Sequence, residues 1–235
     1  MIASPRDHRA EAVLTAAWWL ALAVAAMLVG LKPEPARAFL ARPILFLGVT
    51  SAAPAPPGWT RFCAEQPTDC KPVPGAAERV LTPDLLAELF AVNAEVNTRV
   101  RWTSDRELYG EDERWTYPLD RGDCEDFVLL KRRLLIAAGW PAGALLITVV
   151  HDPAPAPGSG DGTHAVLTVR TDRGDLVLDN QTPEVLFWHE TAYRFVKRQT
   201  SEDPNVWVAL TDSRAPTLAA HTPYPLPPKL DLASR

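Results

Sequence analysis

The sequence predicts an α+β domain, with helices in the first half and an antiparallel sheet in the second. Apolar residues recur at helical spacing in two stretches, roughly 83–100 and 123–138. Five short runs rich in Val, Leu and Ile follow after residue 143. The two kinds of element do not alternate, which separates this chain from a doubly wound α/β fold.

The chain begins with a segment that is not part of the fold. Arg6 and Arg9 precede an apolar stretch from Ala12 to Leu31, and Ala36-Arg37-Ala38 follows. A basic start, an apolar middle and a small-x-small site form an export signal over 1–38. The apolar stretch is also long enough to cross a bilayer as an uncleaved inner-membrane anchor, residues 12–31. Either way the remainder is exported, to the periplasm or beyond. Residues 39–60, with SAAPAPPGW, read as a Pro-rich leader, 61–212 as the folded domain, and 213–235 as a Pro-rich tail.

Bulk properties narrow the function classes. At 235 residues there is enough chain for one domain with a core, plus tails. A formal charge of -5, with no basic stripe interleaved with aromatics, argues against nucleic-acid binding. Hydrophobic residues at 47% argue against an acidic disordered chain or a membrane bundle.

Thr82-Pro83 gives an N-cap followed by proline at the first helical position. Leu85, Leu89, Val92, Val96 and Val100 then form one buried face. Asn93 and Asn97 lie one turn apart on this helix, either as solvated polar residues or facing a cleft. Residues 101–122 show no clear period and read as a long loop. Asp123 caps the next helix; Phe127, Leu130, Leu134 and Ala138 continue its face, and Gly139 and Pro141 stop it. Strands are expected over 144–151, 164–171, 175–180, 192–197 and 206–210.

There are three cysteines, and an exported domain meets an oxidising space where thiols pair. Cys63 and Cys70 bracket a short loop that a disulfide would staple, leaving Cys124. A leftover cysteine is either inert and buried or reactive. Cys124 sits at a helix N-terminus, where the dipole and unpaired N–H groups favour a thiolate and a developing oxyanion. A nucleophile of this kind needs a histidine. His164 opens a strand, and Asp179 ends the next one. A two-residue turn at Asp172-Arg173 would place Asp179 opposite Val166, a same-face neighbour of His164. A turn at Arg173-Gly174 would keep the face but separate the pair too far, and the sequence leaves the register open.

Asp123, Glu125 and Asp126 surround the thiol and would raise its pKa through like charge. Helix capping and dipole pairing account for them in one reading. In the other, clustered carboxylates hold a hard cation, Ca²⁺.

GDCEDF followed by a helix, then GTHAVLTV, then LVLDN resembles the bacterial transglutaminase-like cysteine proteinases of the LapG type. FCAEQPTDC, the VNAEVNTRV helix, YGEDERWTYP and LLIAAGWP extend the resemblance from about 58 to 210. It implies a papain/transglutaminase-like fold and a catalytic set of Cys124, His164 and Asp179. It also implies calcium beside the nucleophile, held by Asp123, Glu125 and Asp126, with Asp112 a weaker candidate. The implied activity is endopeptidase cleavage of a protein substrate, a large surface adhesin in LapG-type members, with an inner-membrane receptor as partner. Amine transfer by the same residues, or a non-catalytic binding domain keeping the fold, are the alternatives.

Overall fold

A computed structural model of the protein describes residues 45–72, 74–155 and 161–211. The export segment expected over 1–38 and the tail expected over 213–235 lie outside these residues. Among the described residues, no helix is long and apolar enough to cross a membrane.

The elements run β1 (Gly48–Ala53), α1 (Pro57–Glu65), α2 (Pro83–Arg99), β2 (Arg101–Trp102), α3 (Asp105–Tyr109), β3 (Arg121–Gly122) and α4 (Cys124–Ala137). Strands β4 (Leu145–His151), β5 (Thr163–Thr171), β6 (Gly174–Leu178), β7 (Leu186–Phe187), β8 (Arg194–Gln199) and β9 (Trp207–Thr211) follow. Seven of them form one antiparallel sheet in the order β1-β9-β8-β4-β5-β6-β7. Helices first and an antiparallel sheet afterwards is the α+β arrangement expected.

Local chemistry explains the helix ends. The Thr82 hydroxyl accepts a hydrogen bond from the Leu85 N–H, and Pro83 sits where a missing N–H costs nothing. Helix α4 stops at Ala138, and Gly139 takes the left-handed conformation beyond it, φ +93°.

Strand alternation splits the sheet side chains between two layers. Leu145 and Ile147, Leu167 and Val169, and Leu176 and Leu178 join Trp59, Leu89 and Leu129 in the main core. Val150, Val166 and Val177 face the other way and pack with Trp188 and Phe195. A separate cluster of Val96, Val100, Phe127 and Leu130 joins α2 to α4. Cys63 and Cys70 form the expected disulfide.

Two departures from the sequence reading concern the N-terminal half. The stretch read as a leader contains β1, which pairs with β9, and the start of α1, whose Trp59 is buried in the core. The stretch 101–122 is not a plain loop: β2 pairs in parallel with β3, and Ser104 caps the short α3. This ladder fixes the approach to Cys124.

Candidate active site

Cys124 is the first residue of α4 and follows Gly122 and Asp123. Gly122 is required by crowding, since a Cβ there would lie 2.5 Å from Asp126 Oδ2. Asp123 occupies the N-cap position without capping its own helix. Its Oδ2 instead accepts the Asp105 N–H at 3.1 Å. Asp126 does not cap either; its Oδ1 accepts the Thr116 N–H at 2.8 Å. Asp105 Oδ2 accepts the Arg114 N–H. Each carboxylate thus spends one oxygen on loop backbone.

The other oxygen of each, Asp105 Oδ1, Asp123 Oδ1 and Asp126 Oδ2, is buried with no hydrogen-bond partner among the described residues. One ligand oxygen from each of the three acids lies within 4.8 Å of the others. Burial, reinforced by the Asp123 charge, pushes the Asp105 carboxyl up to about 6 and that of Asp126 up to about 8. Unsatisfied buried carboxylate oxygens are costly, and three neighbouring carboxylates offer the oxygen donors that suit a hard divalent cation.

This group shares Asp123 and Asp126 with the ligands expected from sequence, and Asp105 stands beside them. The Glu125 carboxylate turns to the nucleophile, and its Oε2 accepts the Cys124 thiol proton at 3.2 Å. Asp112 is exposed and paired with Arg106, away from the cluster. Burial, then the charges of Glu125 and Asp123, pushes the Cys124 thiol well up. The lowering expected from the helix end is outweighed, and the Ala165 backbone N–H opposes the rise only in part.

In the sheet, β5 and β6 turn through Asp172-Arg173, since Thr171 pairs with Gly174 and Leu167 with Leu178. Of the two registers, this is the one that brings His164 and Asp179 together. His164 Nε2 lies 2.9 Å from Asp179 Oδ1, both side chains being buried. Asp179 Oδ1 also accepts the Gln181 N–H at 3.1 Å, and Oδ2 accepts the Tyr193 hydroxyl proton. Burial alone would raise the Asp179 carboxyl, but the hydrogen bonds and charge from His164, with Tyr193, hold it below its usual value. His164 and Cys124 line one cavity of about 910 Å³, together with Asp105, Asp123, Trp102 and Trp115.

The two asparagines of α2 face this site rather than solvent. Asn97 Nδ2 donates to Asp179 O at 2.8 Å and to Thr182 O at 3.2 Å. Asn93 Nδ2 donates to Thr182 O and Pro183 O at 3.1 and 3.2 Å. Together they clamp the 179–183 turn that carries Asp179. Sequence reasoning missed Asp105 and Tyr193 outright. Ser104-Asp105 has the form of a helix cap, which was the only local signal, and Tyr193 offers none.

The model of the family described as bacterial transglutaminase-like cysteine proteinase matches residues 49–215 of this chain. The chain belongs to this family. It is a cysteine protease of the transglutaminase-like class. Among solved structures, Legionella pneumophila LapG matches at 27% identity over 52% of this chain and 68% of that chain, with a TM-score of 0.42. The calcium-bound form of Legionella pneumophila LapG matches at 21% identity over 72% of this chain and 87% of that one, with a TM-score of 0.44. A sequence comparison with curated proteins finds no match.

Proposed function

We propose that the protein is an exported endopeptidase in which Cys124, His164 and Asp179 act together on a protein substrate. The observation that carries this reading is the 2.9 Å contact of His164 Nε2 with Asp179 Oδ1, in the cavity that Cys124 also lines. With Nε2 donating to Asp179, Nδ1 is the basic nitrogen left for the sulfur proton. The thiolate attacks the peptide carbonyl carbon and the carbonyl π pair moves to oxygen, where backbone N–H groups at the start of α4 hold the oxyanion. The oxyanion collapses, the C–N bond breaks, and the imidazolium gives its proton to the departing amine. His164 then takes a proton from water, which attacks the thioester and releases the acid and the thiol. Asp179 orients the ring and stabilises its cation throughout.

Asp105, Asp123 and Asp126 would hold a calcium ion, which would offset the negative charge that keeps the thiol protonated. Glu125 accepts the thiol proton in the resting site and must yield it to His164. Export is supported by the basic-apolar-small pattern of residues 1–38 and by the Cys63–Cys70 disulfide, which belongs in an oxidising compartment. A surface adhesin as substrate and an inner-membrane receptor as partner rest on the family resemblance.

The test compares cell-surface and released proteins of wild-type and Cys124→Ala strains, with and without EGTA. A fragment released by the wild type alone, and lost on chelation, is expected. Equal processing in the Cys124→Ala strain would defeat the reading.

A further inference from the structure

We infer that Trp102 forms an apolar subsite next to the nucleophile, taking a hydrophobic side chain of the substrate that flanks the bond to be cut. The inference rests on the proteolytic reading of the cavity and adds what that reading leaves open, namely which side chains the cleft selects.

Large apolar side chains normally leave water when a wall is available. Trp102 lines the catalytic cavity yet remains 45% exposed. Fraying does not explain this. The Arg101 N–H donates to Asp120 O at 2.8 Å, and the Thr103 N–H to Gly122 O at 2.9 Å, so the backbone is pinned on both sides. Trp102 pairs directly with Gly122, two residues before Cys124. Paired strands sit about 4.8 Å apart, so the indole is carried beside the strand that leads into Cys124. Thr103 and Asp105 next to it are buried, and Asp105 belongs to the carboxylate cluster. The backbone of the segment is thus pinned, and the indole is its one large apolar side chain in the cavity lining.

The surroundings give that indole its use. Across the cavity, the wall beside His164 is made of Gly162, Thr163 and Ala165, which are small and offer room rather than contact. The floor beside the sulfur is acidic, with Asp123 and Glu125, and offers nothing to an apolar side chain. Proline and valine side chains also line the cavity. Among its described residues, however, Trp102 is the large aromatic that stays exposed, Trp115 being buried, and an extended peptide over Cys124 finds its broad apolar surface there. Covering half of the exposed part of the indole removes on the order of 55 Å² of apolar surface from water, which changes kcat/KM about tenfold. An aliphatic or aromatic side chain gains from this contact, whereas an acidic one meets both the indole and the carboxylates.

The experiment uses a library of capped random octapeptides in millimolar calcium, with cleavage sites read by mass spectrometry. The same library is also selected for binding on immobilised Cys124→Ala protein. The wild type is expected to show enrichment of aliphatic or aromatic residues at one position relative to the cut. Trp102→Ala is expected to lose that enrichment alone, with kcat/KM for the best peptide down about tenfold through KM, and Trp102→Phe to restore most of it. In the binding arm, Trp102→Ala added to Cys124→Ala is expected to weaken the selected peptides about tenfold. Unchanged enrichment, a loss spread evenly over all peptides, or binding that does not depend on Trp102 would overturn the subsite. Should the wild type cut nothing while Cys124→Ala protein still binds apolar peptides through Trp102, the subsite stands and the proteolytic reading falls.

Discussion

The two walls of the catalytic cavity are finished to different degrees. On the sheet side both Asp179 oxygens are occupied, by His164, Gln181 and Tyr193, and its backbone carbonyl is held by Asn97. On the helix side α4 and its approach carry buried polar atoms with no hydrogen-bond partner among the described residues: Asp105 Oδ1, Asp123 Oδ1, Asp126 Oδ2 and the Lys131 amine. A paired site is rigid without help, whereas an unpaired one is costly until something binds. The His164–Asp179 pair is therefore preorganised, whereas Asp105, Asp123 and Asp126 each keep one carboxylate oxygen unpaired among the described residues. Regulation of this enzyme by a cation would act on the nucleophile and its acids, and leave the His164–Asp179 pair untouched.

The largest expected effect is on the finished wall. Asp179→Asn should lower kcat by a factor on the order of 10²–10⁴ while leaving calcium binding unchanged. A parallel loss in calcium affinity, measured by titration calorimetry, would show that the walls are not separable. The next effect belongs to the helix wall. Calcium at 100 times its Kd should stabilise the protein by about 2.7 kcal/mol, a rise in Tm of roughly 5–10 °C for a domain of this size. Asp105→Asn should abolish most of that shift in thermal melts, although Asp105 is remote in sequence from the nucleophile. A shift that survives Asp105→Asn but not Glu125→Gln would restore the ligand set expected from sequence.

Lys131 tests the cost of unpaired charge independently of any ion. It is fully buried over the Phe127 ring at 5.9 Å. Burial pushes its amine down from the usual 10.5 to about 7, against the pull of Asp179. Between those values the unfolded chain binds a proton that the folded chain lacks, so wild-type stability climbs with pH across that window. Lys131→Met has no such slope. It should raise stability by about 2 kcal/mol at pH 6, with a smaller gain at pH 9, in thermal melts at both values. A gain that grows with pH would contradict the assignment. The smallest effect is expected from Asn97→Ala, which removes two donors to the turn carrying Asp179. It should cost about 1–2 kcal/mol of stability, and kcat should fall about tenfold with little change in KM. A change confined to KM would place Asn97 in substrate binding instead.

Legibility in the sequence follows the same division. The sheet wall depends on strand periodicity and turn length, both local, so five of the six strands from 145 to 211 and the pairing of His164 with Asp179 could be read, given one open choice of register; the two-residue β7 is too short to show a period. The two-residue turn at Asp172-Arg173 settles that choice. The helix wall depends on contacts between distant backbone and side chains. Nothing near Asp105 announces that its N–H will meet Asp123, so its place beside Asp123 and Asp126 was invisible. Capping was one of the two readings of Asp123 and Asp126, but the loop N–H groups of Asp105 and Thr116 capture those carboxylates first. Strand β1 was missed for another reason: four of its six residues are exposed, so GVTSAA shows no alternation for periodicity to detect.

Pairing of β1 with β9 has a practical consequence. Gly48 sits against Thr211 and Ala53 against Trp207, so the first and last strands of the sheet are each other's mates. An expression fragment begun at residue 61, where the sequence alone would place the boundary, would strip β9 of its neighbour and bare a row of backbone donors and acceptors. Such a fragment would also lose Trp59 from the core, and would be expected to stick to itself and be mistaken for an unstable enzyme when its truncated end is at fault.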